Sequence, residues 1–311
     1  MVSAIALAPQ RSKINALHFS PSPTNPQLAI GGNDTAITTW NALNGHFYNI
    51  FTCTKAQEVL ELNYTTSLEW IKNSSKLISG HTSGKINLWD INNCTMNLEL
   101  CQHKAAVLSI KMNPQMNTLA SGGYDKLLFF WDINVCKPDF YLQSLCSPIS
   151  SIDFSFDGML CGTSGYNSVC RIFDISSQLI AFSILRNSNT KYIDFSFSPN
   201  SLYAAAITDV GCVEIWDLRN QKLLKNINKF RSHCGSTSTS VKICVTDTEF
   251  KAIGYCSENK TIECFDLTRL ETKTLVLGLN VPRLLSYSPD FNKCGFVFDE
   301  NPSQAFLIDS L

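Results

Sequence analysis

The 311-residue sequence predicts an all-β fold of seven similar four-stranded units, on three observations. An aromatic-Asp dipeptide recurs as Trp40-Asn41, Trp89-Asp90, Trp131-Asp132, Phe173-Asp174, Trp216-Asp217, Phe265-Asp266 and, degenerately, Ile308-Asp309. The intervals are 49, 42, 42, 43, 49 and 43 residues, and a period of roughly 40 to 45 is that of a four-stranded propeller blade. Between the dipeptides the order of short strands and turns repeats, and helix-period segments are nearly absent. The reading is a single domain over residues 1-311, a seven-bladed β-propeller of four-stranded antiparallel blades.

The first strand of each unit is short and runs into a turn, as in Leu17-His18-Phe19-Ser20-Pro21, Ile110-Lys111-Met112-Asn113-Pro114 and Phe195-Ser196-Phe197-Ser198-Pro199. Pro, Asp, Asn and Gly supply the preset or positive φ that a reversal needs. The pentapeptide Ile-Asp-Phe-Ser-Phe occurs at 152–156 and again at 193–197, which places Asp153 and Asp194 at equivalent first-strand positions. A second strand of small residues follows, such as Leu119-Ala120-Ser121-Gly122-Gly123, suited to strands crowded toward an axis. The third is β-branched or aromatic and closes on the dipeptide, as in Lys85-Ile86-Asn87-Leu88-Trp89-Asp90. An outer strand completes the unit, as in Thr95-Met96-Asn97-Leu98-Glu99-Leu100.

After Asp309 only Ser310 and Leu311 remain, so the seventh unit lacks its outer strand, while Val2 to Ala8 forms a spare apolar strand. Residues 2 to 8 are therefore expected to pair into the last blade, joining both ends in one sheet and removing exposed edges.

Composition excludes several function classes. With 25 basic and 26 acidic side chains the formal charge is -1, which argues against a strongly basic nucleic-acid surface or an acidic solvating tail. The 13 cysteines include no CxxC pair and read as reduced thiols packed in the interior. No run approaches the ~18 apolar residues of a membrane span, and Met1 to Pro9 lacks the basic start of a signal peptide. The expected localisation is cytoplasmic and/or nuclear. Phosphate-loop, zinc-protease, nucleophile-elbow and dinucleotide motifs are absent, and the five histidines are scattered. No cofactor, no metal and no enzymatic activity is expected.

These dipeptides and their spacing resemble the WD-repeat (WD40) β-propeller family over essentially the whole chain. In the third unit His103, Ser121, Asp125 and Trp131 stand at the spacings of that family's buried tetrad, with Gln102 in place of the usual Gly. The resemblance implies a structural role for the four, satisfying buried polar groups and tying the outer loop to the third strand. Other units erode the pattern. Ile30 stands at the Ser position of the first, and Ser83, Asn167 and Asn259 stand at the Asp position of the second, fourth and sixth. Pro302 stands there in the seventh.

A propeller offers loops on a rigid frame. The residues just before the Asp position, Asn33, Thr82, Tyr124, Tyr166, Asp209 and Glu258, are expected to ring the top face with the strand-one entries Tyr192 and Arg283. Aromatics, acids and an Arg suit a peptide or protein ligand with a basic or polar anchor. Trp216, Asp217 and Arg219 form a WDxR sequence, which looks like the box by which some propellers dock on the damaged-DNA-binding adaptor of cullin-RING ubiquitin ligases. Ordinary surface pairing of Arg219 is the other reading. Arg219, Lys222, Lys225, Lys229 and Arg231 lead into a Ser/Thr-rich loop at 233–240, suited to phosphate contact or to the plainer role of a Lys-protected edge. The long interval before Trp89 includes Lys55 to Leu62, a partner-specific loop or an irregular second blade.

The function expected is that of a monomeric, non-enzymatic scaffold that binds protein or peptide partners and helps assemble an intracellular multiprotein complex. It has no membrane span and makes no direct contact with nucleic acid. One alternative is a substrate-receptor adaptor of a cullin-RING ubiquitin ligase, argued from Arg219. Another is a subunit of an RNA- or chromatin-associated complex, argued from the basic strand. The terminal Ile308-Asp309-Ser310-Leu311 lacks the Ile-Arg tail of propeller activators of the anaphase-promoting complex, which sets that branch aside.

Overall fold

The computed structural model describes residues 5–21, 25–52, 63–72, 75–115, 117–135, 137–142, 147–185, 190–228, 241–245, 250–256, 261–277, 282–288, 293–298 and 300–309. These form seven four-stranded antiparallel sheets. The inner strands are Ile14–Phe19, Thr65–Trp70, Val107–Met112, Ile149–Phe154, Tyr192–Phe197, Val241–Val245 and Pro282–Ser288. Each packs against the next and the seventh returns to the first, so the sheets close radially as the blades of a propeller around a channel. The third strands end at Asn41, Asp90, Asp132, Asp174, Asp217, Asp266 and Asp309, on the repeating dipeptides.

Burial explains the composition of each strand. Second and third strands are covered on both faces by neighbouring blades, so Leu77–Gly80 and Leu128–Trp131 are buried at every position and read as unbroken small or apolar runs. Outer strands have a free edge: Lys137–Leu142 and Lys222–Ile227 are exposed or half-buried along nearly their whole length, and both start with Lys. Where blades approach most closely only glycine fits. A side chain at Gly31, Gly80 or Gly122 would meet Thr65, Ile110 or Ile149 of the next blade at 2.5, 2.8 and 2.6 Å.

The aromatic-Asp dipeptide is the cap of the turn between the third and outer strands. Oδ1 of Asp90 accepts from the N–H groups of Asn92 and Asn93 at 2.9 and 3.2 Å. Asn41, Asp132, Asp174, Asp217 and Asp266 make the same pair of bonds. Four residues after the capping side chain the backbone takes a positive φ, at Gly45, Cys94, Gln178, Gln221 and Leu270. A short acceptor at this site holds a reversal that carboxylate and amide serve equally. These N–H groups, first that of Asn93, hold the Asp90 carboxyl below its ordinary pKa.

The last sheet runs from Pro282–Ser288 through Lys293–Phe298 and Ala305–Asp309 to the N-terminal strand Ile5–Ala6. Ile5 pairs with Leu307 and Ala6 with Phe306, while the Leu7 N–H donates to the Ala305 carbonyl at 3.0 Å. The expected pairing of the N-terminal strand into the last blade is found, over Ile5–Ala6 among the described residues; residues 2 to 4 lie outside them. Its side chains belong to a core cluster joining the last blade to the first, in which Leu7, Ile14, Leu28 and Leu307 are buried.

Cys161, Cys170, Cys212, Cys264 and Cys294 are buried as free thiols, and burial pushes those of Cys161 and Cys170 well above their ordinary pKa. Among the described residues no helix is long and apolar enough to cross a membrane.

Candidate partner-binding face

An inner strand has only one neighbour in its own sheet, so its other backbone edge faces the channel and must find partners elsewhere. The previous blade supplies them. Most inner strands carry a β-bulge just after their first residue, and the bulged residue reaches forward. Asn15 Nδ2 donates to the Thr65 carbonyl at 3.3 Å, Ser150 Oγ to that of Tyr192 at 2.9 Å, Thr66 Oγ1 to that of Val107, and Arg283 to that of Ile14. Acceptors serve the N–H groups in the same way. Ser109 takes the N–H of Ile152 at 3.0 Å, Asp153 that of Phe197 at 2.9 Å and Asp194 that of Ile243 at 3.1 Å. The carboxylates of the channel are thus inter-blade staples.

Asp153 and Asp194 prove not to be equivalent. Ile152 opposes Thr163, whereas Phe195 opposes Ala206 at the matching step of the next blade, so the repeated pentapeptide is offset by two residues. The offset keeps each side chain on its face and moves it one level along the channel. The result is a reciprocal pair: Ser196 Oγ donates to Asp153, and Ser151 Oγ to Asp194 at 2.7 Å. One level is further charged by Glu69, whose two oxygens lie 3.3 Å from His18 Nε2 and 3.4 Å from Lys111 Nζ. The pairing with Glu69 raises the Lys111 pKa, while burial raises that of Asp153 against the pull of Lys111.

One end of the channel is framed by the loops that enter the inner strands. In five blades the residue after the second strand donates its N–H to the carbonyl just before the inner strand: Asn33 to Lys13, Thr82 to Tyr64, Tyr124 to Ala106, Tyr166 to Pro148 and Asp209 to Lys191. This common bond sets the five in one ring, the top face. Three of them turn their side chains onto the loop itself. Asn33 Oδ1 accepts from Asn15, Thr82 Oγ1 from the Tyr64 N–H, and Asp209 Oδ1 from the Lys191 N–H, at 2.7, 2.9 and 3.1 Å. The tyrosines differ. Tyr124 is 49% exposed and its ring lies 6.0 Å from that of Tyr166 at 57°, with Lys191 Nζ 5.7 Å from the Tyr166 ring centre. Burial, followed by Tyr124, pushes the Tyr166 hydroxyl up to about 12, so it stays protonated.

The tetrad of the third blade stiffens this platform. Trp131 Nε1 can only donate, and gives its hydrogen to Ser121 Oγ at 2.8 Å. Ser121 therefore donates onward to His103 Nε2 at 2.8 Å, leaving Nδ1–H to donate to Asp125 Oδ2 at 2.8 Å. Asp125 also accepts from the N–H groups of Lys104 and Leu127 at 3.0 and 3.2 Å. Burial works against its charge, but the His103 bond and these N–H groups prevail and hold its pKa low. Tyr124, next in sequence, thus rides on a loop pinned from both sides.

Eroded blades replace this chain by other means. In the second, Trp89 donates to Ser79 at 2.8 Å and Ser79 meets His81 at 2.8 Å, with Asn87 at 3.3 Å from the same imidazole nitrogen. In the first, Trp40 donates to Thr38 at 3.0 Å and Thr38 to Gln10 at 3.1 Å, drawing in the N-terminal segment.

Two residues assigned to the top face belong elsewhere. Tyr192 is the first residue of its inner strand, ahead of the bulge, at the place held by the buried Val107 and Ile149. Its ring is fully buried and its hydroxyl donates to Glu214 Oε2 at 2.6 Å. Arg283 is the bulged residue of the seventh blade, buried and spent on the Ile14 carbonyl. Glu258 lies outside the described residues. Lys191 belongs to the face and was missed; the one available signal is its place immediately before an inner strand.

Away from the top face, Arg219 is exposed at the turn capped by Asp217, with its N–H on Asp217 Oδ1 at 2.9 Å and Asn220 holding both Asp217 oxygens. Lys222 and Lys225 lie exposed on the following outer strand. Lys229, Arg231, the 233–240 loop and residues 55–62 lie outside the described residues.

Radial four-stranded blades, a capped aromatic-Asp turn and a Trp-Ser-His-Asp chain are the features by which this propeller resembles the WD-repeat class. The family model "WD domain, G-beta repeat" matches residues 93–132 and 141–174, which contain the third and fourth dipeptides. The match covers two of the seven blades, and the chain as a whole is similar in architecture to the WD-repeat propellers. Among curated proteins it is similar to the "B-type cell cycle switch protein ccs52B" of Medicago truncatula, 28% identical over 129 residues, 40% of this chain and 25% of that one. It is also similar to the "Anaphase-promoting complex subunit cdc20" of Dictyostelium discoideum, 27% identical over 45% of this chain and 27% of that one. "Cell division cycle 20.1, cofactor of APC complex" of Arabidopsis thaliana is 32% identical over 38% of this chain and 25% of that one. The matched part is about a quarter of the length of each relative. A solved structure titled "Crystal Structure of Mitotic Checkpoint Complex" superposes with a TM-score of 0.78 at 16% identity, over 99% of this chain and 90% of that one. At that identity the likeness is one of fold.

Proposed function

We propose that this propeller is a non-enzymatic scaffold that captures protein partners on its top face and contributes to an intracellular multiprotein complex, in the cytoplasm or nucleus. The observation that carries the reading is the Tyr124–Tyr166 pair, set on a tetrad-pinned loop with Lys191 beside it. Exposed aromatics held rigid lose little entropy on binding, which is why Tyr is common among residues that dominate interfaces. Replacing Tyr124 and Tyr166 together by Ala is expected to abolish capture of partners with little change in melting temperature. Retention of every partner by the double variant contradicts the reading.

A second reading, an adaptor role in ubiquitin ligation, is supported by the relatives' printed names, which include a subunit and a cofactor of the anaphase-promoting complex. The exposed Arg219 is the residue argued for docking on a cullin-RING adaptor. A pulldown comparing wild type with Arg219→Ala tests that contact; equal recovery of the adaptor by both proteins removes it.

A further inference from the structure

Resting on the top-face reading, we infer that the arc formed by the third, fourth and fifth blades takes an acidic peptide segment, its carboxylates meeting Lys104, Lys126 and Lys191 while an apolar side chain lies on Tyr124 and Tyr166.

Local charge carries the argument, because the chain's near-zero net charge conceals an uneven distribution. On this arc Lys104, Lys126 and Lys191 are exposed. Lys104 follows the tetrad histidine and has its N–H fixed on Asp125. Lys126 directly follows Asp125, and a positive φ of 64° turns the chain there. The lysines have little acidic opposition. Asp125 turns inward onto His103 and two N–H groups, with its side chain 6% exposed. Asp209 is exposed but commits one oxygen to the Lys191 N–H. The sequence just ahead of the inner strands of the fourth and fifth blades, residues 143–148 and 186–191, contains no Asp or Glu. With Arg283 spent on the neighbouring blade, the described charges reverse the preference for a basic anchor.

The two rings, 6.0 Å apart and tilted by 57°, supply an apolar surface beside Lys191. An ammonium over a tyrosine face is partly desolvated, which strengthens its pull on an incoming anion. Lysine charges at a rim act mainly on encounter rate and on discrimination between partners of opposite sign.

The test is selection of a phage-displayed random dodecapeptide library on the full chain, with counter-selection on the Tyr124→Ala/Tyr166→Ala double variant. Peptides held by the wild type and lost on the double variant are expected to be enriched in Asp and Glu beside an aromatic or aliphatic residue. A synthetic peptide from that pool should bind at least tenfold more weakly to Lys126→Glu/Lys191→Glu and lose affinity as salt is raised from 50 to 500 mM. Tyrosine-dependent peptides that are basic or uncharged overturn the inference and leave the top-face reading standing. Peptides that bind equally to wild type and double variant count against both. A twelve-nucleotide oligouridylate that displaces the acidic peptide and binds more tightly assigns the arc to nucleic acid and overturns the inference.

Discussion

Trp216 carries a buried indole N–H for which the described residues offer no acceptor. The cause is a single side chain. Ala206 opposes Glu214 in the fifth blade as Ser121 opposes Phe129 in the third, so the hydroxyl that receives Trp131 has no counterpart. A buried donor left unmade costs about 1–3 kcal/mol, and a restored bond contributes about 1 kcal/mol. Ala206→Ser is therefore expected to stabilise the protein by about 1 kcal/mol, a rise in melting temperature of about 2 °C in a chain of this size. Ser121→Ala should do the reverse and by more, since it orphans Trp131 and interrupts the chain to His103. Thermal denaturation of the two variants checks both signs; an unchanged Ala206→Ser denies the bond. At this scale the sequence was informative where the family spacing survives, as at His103 and Trp131. It was silent on His81 and Thr38, because a replacement hydrogen bond depends on register and on which face a side chain takes.

Strands and turns were largely legible, since blade geometry forces composition: small residues where sheets crowd, Lys at a free edge, a short acceptor at each third-strand end. The bulge was not, and it alone sent Tyr192 and Arg283 to the interior. Its consequence is testable through the donors that cross between blades. Thr66→Val and Ser150→Ala keep volume nearly constant and leave the Val107 and Tyr192 carbonyls without their cross-blade donors. Each should cost about 1 kcal/mol, and because the two junctions share no partner the costs should add. Urea denaturation of the singles and the double measures this; a double no worse than either single contradicts independent staples. Asp153 gives a pH-dependent counterpart. Its folded pKa lies above the ordinary 3.8, so ionising it costs more in the folded than in the unfolded chain. The wild type accordingly loses stability from this group as pH rises from 3.8 through the raised value, and the loss is constant above it. Asp153→Asn keeps an acceptor for the Phe197 N–H and does not titrate. Its melting temperature relative to wild type should rise across that window and level off toward pH 8. A difference that falls with pH, or is flat throughout, contradicts a raised pKa.

At the scale of the whole ring, stability depends on the one junction where the chain is not continuous. Six junctions are spanned by the loop from one outer strand to the next inner strand; the seventh is held by Ile5–Ala6 on Ala305–Asp309 and by the cluster around Leu7. Opening it exposes the facing surfaces of two blades at once, so the seam governs cooperative unfolding in a way that no other outer strand does. Leu7 is 1% exposed and packs among Ile14, Ala305 and Leu307. Truncating a leucine at such a site costs about 2–5 kcal/mol. Leu224, 53% exposed on the outer strand of the fifth blade, serves as the control, since truncation there removes little buried surface. Leu7→Ala is expected to lower the melting temperature by roughly 5 °C or more, and Leu224→Ala by about 1 °C or less, with both transitions remaining single. Peptide-level hydrogen exchange should then show faster opening of Pro282–Ser288 and Ile14–Phe19 in Leu7→Ala than of Ile149–Phe154 on the far side of the ring. Equal protection of the three strands, or equal melting of the two variants, would mean that the ring is closed by something other than this strand.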